Sequence, residues 1–297
     1  MRRTLDLALA LIVVVGLAVA ACGSGKGGRS PDEPVETTIP DGAEKARFPR
    51  DQIVWQARTT GGLVPQVAWA AQRPSLTIYG DGRFFVAAPG LDRRFDQPIQ
   101  LRHGTVDRED LAVFVAQAQA SGLFDADVEL GSPDVTDMAS TTVLLHGTGD
   151  AVRISAYALG GRFDTDLPSD AVRNRETLRR LLSSAEELVP EPASWSPTRV
   201  RVLRLPDDAT FEPKPDADPD AEPAVWPGDD PTTFDQPAPA DIGSTSILGC
   251  TEVTGAAAGE LFDAALGNPL PTWDVGGHVR TIVVVALLPD EPACGTG

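Results

Sequence analysis

The segment before residue 22 constrains this chain most, because it decides which residues fold and in which compartment they do so. Arg2 and Arg3 precede a fifteen-residue apolar run from Leu7 to Ala21. A basic start, a short apolar core and small residues at its end predict a secretory signal, and the run is too short for a comfortable membrane span. We therefore expect residues 1–21 to be removed and the rest of the chain to fold outside the cytoplasm.

Cys22 makes this interpretation more specific. It closes the run LAVAAC, directly after Val19-Ala20-Ala21, and this arrangement resembles the bacterial lipoprotein signal. The resemblance implies that Cys22 is acylated, with palmitate for example, and becomes the first residue of a protein held by lipid on the extracytoplasmic face of the cell membrane. The alternative is an ordinary secretory signal with a cysteine there by chance. Residues 22–50 are rich in Gly, Pro, Ser and charge, which predicts a flexible tether with a span of roughly 30 Å.

Two further cysteines, Cys250 and Cys294, remain once Cys22 is assigned to lipid. An even pair in an oxidising compartment predicts a structural disulfide, since a redox or metal site would need closer spacing or more ligands. The bridge would close a loop of about 45 residues and stabilise the fold by at most about 4 kcal/mol.

Composition excludes some classes of partner. The formal net charge is −18, which disfavours nucleic acid and anionic lipid surfaces because both repel an acidic chain. Apolar residues make up 42% of the chain, enough for one large domain or two small ones, while 26 prolines and 28 glycines predict many turns.

Hydrophobic periodicity predicts an α+β fold with mainly antiparallel sheets, about three helices packed on them and a long proline- and acid-rich loop. Residues 51–190 read as an N-terminal half: a strand, a hairpin turning at Gly80-Asp81-Gly82, a helix over 107–121 capped by Asp107, a second hairpin and a helix over 170–188. We expect the second helix to bury its leucines and to expose its arginines: Arg173, Arg175, Arg179 and Arg180.

Residues 191–297 read as a C-terminal half. A strand near residue 200 leads into the irregular loop 206–243, which is too polar to bury itself, and we expect Trp226 and Phe234 to hold it against the body. A strand, a helix and a last strand follow. The dense apolar run Ile282 to Leu288 predicts a central position in a sheet.

No local motif nominates a catalytic or metal site, and no cofactor is expected. His103, His146 and His278 lie in no known ligand or triad spacing, and we expect each to be solvated. Alternating oxygens could wrap a calcium ion in two acidic runs, but solvated loops explain both runs more simply. These runs are Asp216, Asp218, Asp220 and Glu222, and Asp164, Asp166 and Asp170.

Several stretches together resemble an uncharacterised group of actinobacterial cell-envelope lipoproteins. They are LAVAAC, LTIYGDGRFF, the helix ending in SGLFD, and the terminal blocks CTEVTG, WDVGG and VALLPDEPAC. Only the first is a specific motif, and the similarity of layout covers residues 1–22, 51–190 and 245–294. The resemblance implies lipid anchoring, an α+β body and the Cys250–Cys294 bridge. It carries over no catalytic residue.

The sequence thus favours a membrane-anchored binding or interaction protein of the cell envelope over an enzyme. The tether would present a sheet face or the loop 206–243 to an envelope protein or a small ligand. Two alternatives stay open: an envelope hydrolase whose site assembles only in three dimensions, and a structural envelope component without a ligand.

Overall fold

A computed structural model describes residues 47–87, 98–211, 222–239, 247–268 and 270–295 of the chain. All of these belong to one compact unit, Ile39–Gly297. They form four helices and twelve strands in two mostly antiparallel sheets, which confirms the predicted α+β class. The predicted signal 1–21, Cys22 and the tether up to residue 46 lie outside the described residues. Within the described ranges, no helix is both long and apolar enough to cross a membrane.

The first sheet has seven antiparallel strands in the order β6-β5-β1-β2-β3-β4-β7. The strands are β1 (Ile53–Gly61), β2 (Leu76–Tyr79), β3 (Arg83–Ala87), β4 (Leu101–Thr105), β5 (Ala139–Leu145), β6 (Val152–Tyr157) and β7 (Ala193–Ser194).

The turn between β2 and β3 explains why this hairpin forms. Gly82 has a φ of 88°, which favours glycine. The Asp81 carboxylate accepts hydrogen bonds from the backbone N and the Nε of Arg83, at 3.1 and 2.7 Å. The predicted hairpin is confirmed.

Two helices cover one face of this sheet: α2 (Arg108–Ala120) and α3 (Ser169–Glu187). Asp107 caps α2, since its Oδ1 accepts from the backbone N of Glu109 at 2.7 Å. Trp55 of β1 is fully buried under α2, where its ring meets that of Phe114 edge-on at 5.0 Å.

The second sheet has five strands in the order β10-β8-β12-β11-β9, antiparallel except for the parallel pair β9–β11. The strands are β8 (Arg199–Arg204), β9 (Ala224–Val225), β10 (Gly249–Thr254), β11 (Thr272–Val275) and β12 (His278–Ala286). The central position of β12 confirms the prediction made from its apolar run. Helix α4 (Ala256–Gly267) and the short helix α1 (Gln66–Ala71) both contact β12.

The predicted halves 51–190 and 191–297 share a core. One buried cluster joins Tyr79 and Phe85 of the first sheet to Val202, Phe262 and Val284 of the second sheet and its helix.

The loop 206–243 is more ordered than the sequence predicts. Within its described part, β9 joins the second sheet and Pro231–Thr233 form a turn of 3-10 helix. Trp226 is held against the body as expected: it is buried, its ring lies 5.1 Å from that of Trp273, and its Nε1 donates to the Asp229 carbonyl at 2.7 Å. Phe234 packs against the shared core.

The prediction for Arg175 is wrong. Arg175 is fully buried rather than exposed to solvent. It follows Ala171 by four positions and precedes Leu178 by three, so it lies in the buried stripe of α3. Its Nε donates to Oδ1 of Asp164 at 2.6 Å.

Candidate functional site

A cavity of about 380 Å³ opens beside the end of β1 and the helix α1. Its size falls at the lower end of the range for small-molecule sites. Thr59, Gly61, Gly62, Leu63, Val64, Ala68, Gln72, Arg73, Ile99, Asp137 and Ala139 line it. Most of the lining residues are apolar or glycine, and the polar and charged ones are Thr59, Gln72, Arg73 and Asp137.

Two glycines form one side of the cavity. Gly61 and Gly62 have φ values of 86° and 82°, and these values let the chain turn away from β1 as the strand ends. The next residue, Leu63, donates its backbone N–H to the Asp137 carbonyl at 3.3 Å; the residue lines the cavity and is 86% exposed. A large exposed leucine beside a cavity offers apolar surface to whatever enters.

Helix α1 forms another side, although it has only six residues. Val67, Ala70 and Ala71 are buried against the second sheet. Ala68 and Gln72 are four positions apart, so they share a different face of the helix, and this face lines the cavity. The second sheet therefore fixes the helix, and the helix presents Gln72 to the cavity.

Arg73 contributes little accessible charge, although it lines the cavity. Its side chain is only 3% exposed and forms an ion pair with Glu291. Its Nε is buried and has no hydrogen-bond acceptor among the described residues. Oε2 of Glu291 also accepts from the backbone N of Leu288 at 2.8 Å, which holds the acid in place. The positive charge is thus balanced inside the wall.

Among the described residues that line the cavity, Asp137 carries the accessible charge. It is exposed and has a φ of 59°, a conformation that aspartate tolerates better than most residues do. Among the described residues, its carboxylate has no hydrogen-bond or ion-pair partner. The same is true of the Gln72 side chain. A carboxylate and an amide therefore remain available to a ligand.

Several hydrogen bonds hold the segment 288–294, which carries Glu291, the ion-pair partner of Arg73. We call this set of contacts the clasp. Arg199 donates to the carbonyls of Pro289 and Glu291 at 3.2 and 3.1 Å, and Arg201 donates to those of Pro292 and Ala293. The Tyr79 hydroxyl donates to Asp290. Burial, together with that hydrogen bond, raises the pKa of Tyr79 well above its usual range, so the phenol stays protonated as a donor.

The disulfide predicted from the cysteine count completes the clasp. Cys250 of β10 and Cys294 are bonded, with an S–S distance of 2.00 Å and Cα atoms 5.8 Å apart. Both residues are buried. The prediction is confirmed.

The three histidines are not brought together into a site. His103 lies on β4 and His278 at the start of β12, both exposed, and His146 follows β5 and is partly buried. No side chain of the three has a hydrogen-bond or ion-pair partner in the described part of the chain. His103 stacks on Phe85 with ring centroids 6.3 Å apart.

The acidic runs do not form a metal site where they are described. Asp164 is buried and paired with Arg175 and Arg179, at 2.6 and 2.7 Å, so both of its oxygens are taken. Glu222 is exposed, whereas Asp216, Asp218 and Asp220 lie outside the described residues. Asp166 and Asp170 are exposed. Within the described ranges, no group of three or more His, Cys, Asp or Glu is placed to hold a metal ion.

The cavity is the site that sequence reasoning missed. Its residues come from four separate stretches between Thr59 and Ala139, and none of these stretches contains a known motif. The Gly61-Gly62 pair at the end of a strand is the one local signal that could have pointed to it. No protein-family model, curated protein or solved structure matches the chain significantly.

Proposed function

We propose that this protein is a lipid-anchored, extracytoplasmic binding protein of the cell envelope, and that it takes a small ligand in the cavity beside α1. The observation that carries the proposal is the cavity itself. It offers about 380 Å³ of space, a mostly apolar wall and the two available polar side chains of Gln72 and Asp137. Apolar walls with a few convergent polar groups are typical of ligand sites.

Contacts between distant segments of the cavity wall support binding over a structural role. Residues far apart in the chain hold its walls: the Leu63–Asp137 hydrogen bond closes one side, and the Arg73–Glu291 ion pair ties the other to the clasped segment. A preformed site loses little entropy when a ligand is ordered in it.

The proposed cellular location rests on the N-terminal sequence and on the resemblance to actinobacterial lipoproteins. The Cys250–Cys294 disulfide is what an oxidising compartment favours. Cys22 would anchor the chain to the membrane, and the tether would carry the cavity a few nanometres from the lipid. No observation favours the hydrolase alternative, because the described histidines form no triad with an acid.

Two measurements test the proposal. For the address, cells are fractionated with the native chain and with Cys22→Ala, with labelled palmitate in the medium. We expect the label and the membrane location to depend on Cys22. Membrane location without Cys22 would contradict lipid anchoring.

For the site, the full chain in lipid nanodiscs is screened against soluble fragments by ligand-detected NMR, with empty nanodiscs as the blank. Ala68→Leu and Ala139→Val each place extra methyl groups at the cavity wall. We expect a set of fragments to bind the native chain and to lose binding in both variants. Ala68 is only 2% exposed, so Ala68→Leu should cost about 1–3 kcal/mol, and urea unfolding checks that each variant is still folded under the binding conditions. Binders that neither variant weakens would refute the cavity as the site.

A further inference from the structure

We infer that the cavity selects a small organic cation: an alkylammonium group held at Asp137, with its apolar stem against the wall formed by Leu63 and α1. This rests on the proposed function, since it names the class of ligand for the same site. The inference depends on which of the charges at the cavity a ligand can reach.

Among the described residues, two ionic groups line the cavity, and they differ in how far a ligand can reach them. Arg73 exposes 3% of its side chain, and Glu291 neutralises its charge. The Nε of Arg73, which has no acceptor among the described residues, has almost no accessible surface. An anion entering the cavity could therefore not reach it without moving the wall. Asp137 is exposed and has no compensating cation among the described residues. The accessible charge contributed by the described wall residues is therefore negative.

The remaining polar groups fit an ammonium ion. An ammonium has three donors and no acceptor, so it needs oxygen atoms around it. Asp137 and Gln72 both line the cavity, and their side-chain oxygens have no partner in the described part of the chain. A carboxylate ligand would instead face Asp137 across the cavity at a cost in repulsion. An alkylammonium also remains charged at neutral pH, since its pKa resembles that of lysine.

The apolar wall defines the rest of the ligand. Leu63, Val64, Ala68 and Ile99 carry no polar side-chain atoms, and Leu63 alone exposes 86% of its surface. Covering this surface with an alkyl or ring stem removes apolar area from water, which favours binding. A polyamine has no comparable apolar stem, so it would leave the apolar surface of the wall exposed to water.

Three probes of one length separate the contributions of charge and stem: n-pentylamine, 1-pentanol and sodium pentanoate. Their affinities for the full chain in nanodiscs are measured by ligand-detected NMR titration. We expect pentylamine to bind about tenfold or more tightly than pentanoate, with pentanol between them. Added salt should weaken pentylamine and leave pentanol unchanged, because the carboxylate is exposed.

Asp137→Asn is the decisive variant, because asparagine also tolerates a positive φ and removes only the charge. This variant should lower the affinity for pentylamine about tenfold, so that the three probes bind with similar affinities. Asp134→Asn is the matched control: Asp134 is an exposed acid three residues away that does not line the cavity. It should leave every affinity unchanged.

The outcomes separate the two proposals. If the fragments that bind the cavity are anionic or neutral, or if Asp137→Asn leaves pentylamine binding intact, the cation inference falls and the binding function stands. If no probe or fragment is lost in the wall variants Ala68→Leu and Ala139→Val, the cavity site and the cation inference fall together.

Discussion

Replacing Arg175 by methionine should destabilise the protein strongly, because this one side chain connects four segments. Its Nε donates to Asp164 at 2.6 Å, and its Nη1 donates to the carbonyls of Leu130 and Tyr157 at 3.2 and 3.1 Å. Its Nη2 donates to the carbonyl of Ala158, a residue with a φ of 49°. The guanidinium thus holds a strained corner of the chain after β6.

The expected loss follows from what stays behind in the variant. Methionine fills most of the space that the arginine side chain occupies, so little stability is lost to an empty void. Asp164 keeps its second partner, since Nη1 of Arg179 lies 2.7 Å from Oδ2. Three carbonyls, however, lose a charged donor in a buried place. Removing one partner of a buried ion pair costs about 3–5 kcal/mol. Because Arg179 still pairs with Asp164, we expect a loss at the lower end of this range, about 3 kcal/mol.

Arg179→Met is the matched control. Arg179 bonds the same carboxylate and one carbonyl, that of Leu159 at 3.0 Å, but its side chain is 33% exposed. Water can replace those contacts, so the loss should be about 1 kcal/mol. Arg175→Lys should resemble methionine more than arginine, because one ammonium cannot reach all four acceptors.

The assay is urea unfolding of the full chain with the disulfide intact, followed by circular dichroism and by tryptophan fluorescence. The free energies of unfolding of the native chain and the three variants are compared at neutral pH. Equal losses for Arg175→Met and Arg179→Met, or a loss below about 1 kcal/mol for Arg175→Met, would refute the argument that burial sets the size of the effect.

Two further predictions concern the first sheet. Burial disfavours the charge on Asp81, but the hydrogen bonds and charge of Arg83 outweigh it, so the pKa of Asp81 lies below its usual value. A carboxyl with a lowered folded-state pKa stabilises the fold above its ordinary pKa of about 4, and this stabilisation is lost as the pH falls through the folded value. Asp81→Asn should therefore cost about 1–2 kcal/mol at pH 7 and progressively less as the pH is lowered below about 4, as measured by urea unfolding across this range. Gly104→Ala would place a Cβ 2.6 Å from the buried ring of Phe84 and should lower the free energy of unfolding by about 1–3 kcal/mol, whereas Gly149→Ala, with nothing within 4 Å, should be neutral in the same assay.

Local signals predicted the elements that carry them. Asp107 and Gly122 bracket α2, and Gly80-Asp81-Gly82 marks the first hairpin, so both are found where the sequence places them. Helix α1 has six residues, fewer than two turns, and its apolar positions make no recognisable period. It exists because the second sheet covers Val67, Ala70 and Ala71, which only tertiary structure shows.

The error at Arg175 has a similar cause. Charge favoured the solvent face of α3, whereas spacing from Ala171 and Leu178 placed the residue in the buried stripe. The tertiary partner, Asp164, decided between these two signals. The cavity could not be predicted at all, since its walls depend on the packing of β1, β5 and α1 rather than on any one segment.

The position of β12 also sets the order in which the chain can complete its sheets. β12 lies between β8 and β11 but follows both of them in the chain. The first sheet needs nothing beyond Ser194, so a chain emerging from its N-terminus can assemble it early. The second sheet lacks its middle until His278–Ala286 has emerged. Until then the core that Phe85 shares with the second sheet lacks Ile282 and Val284, and at this stage a growing chain of this fold needs protection from aggregation.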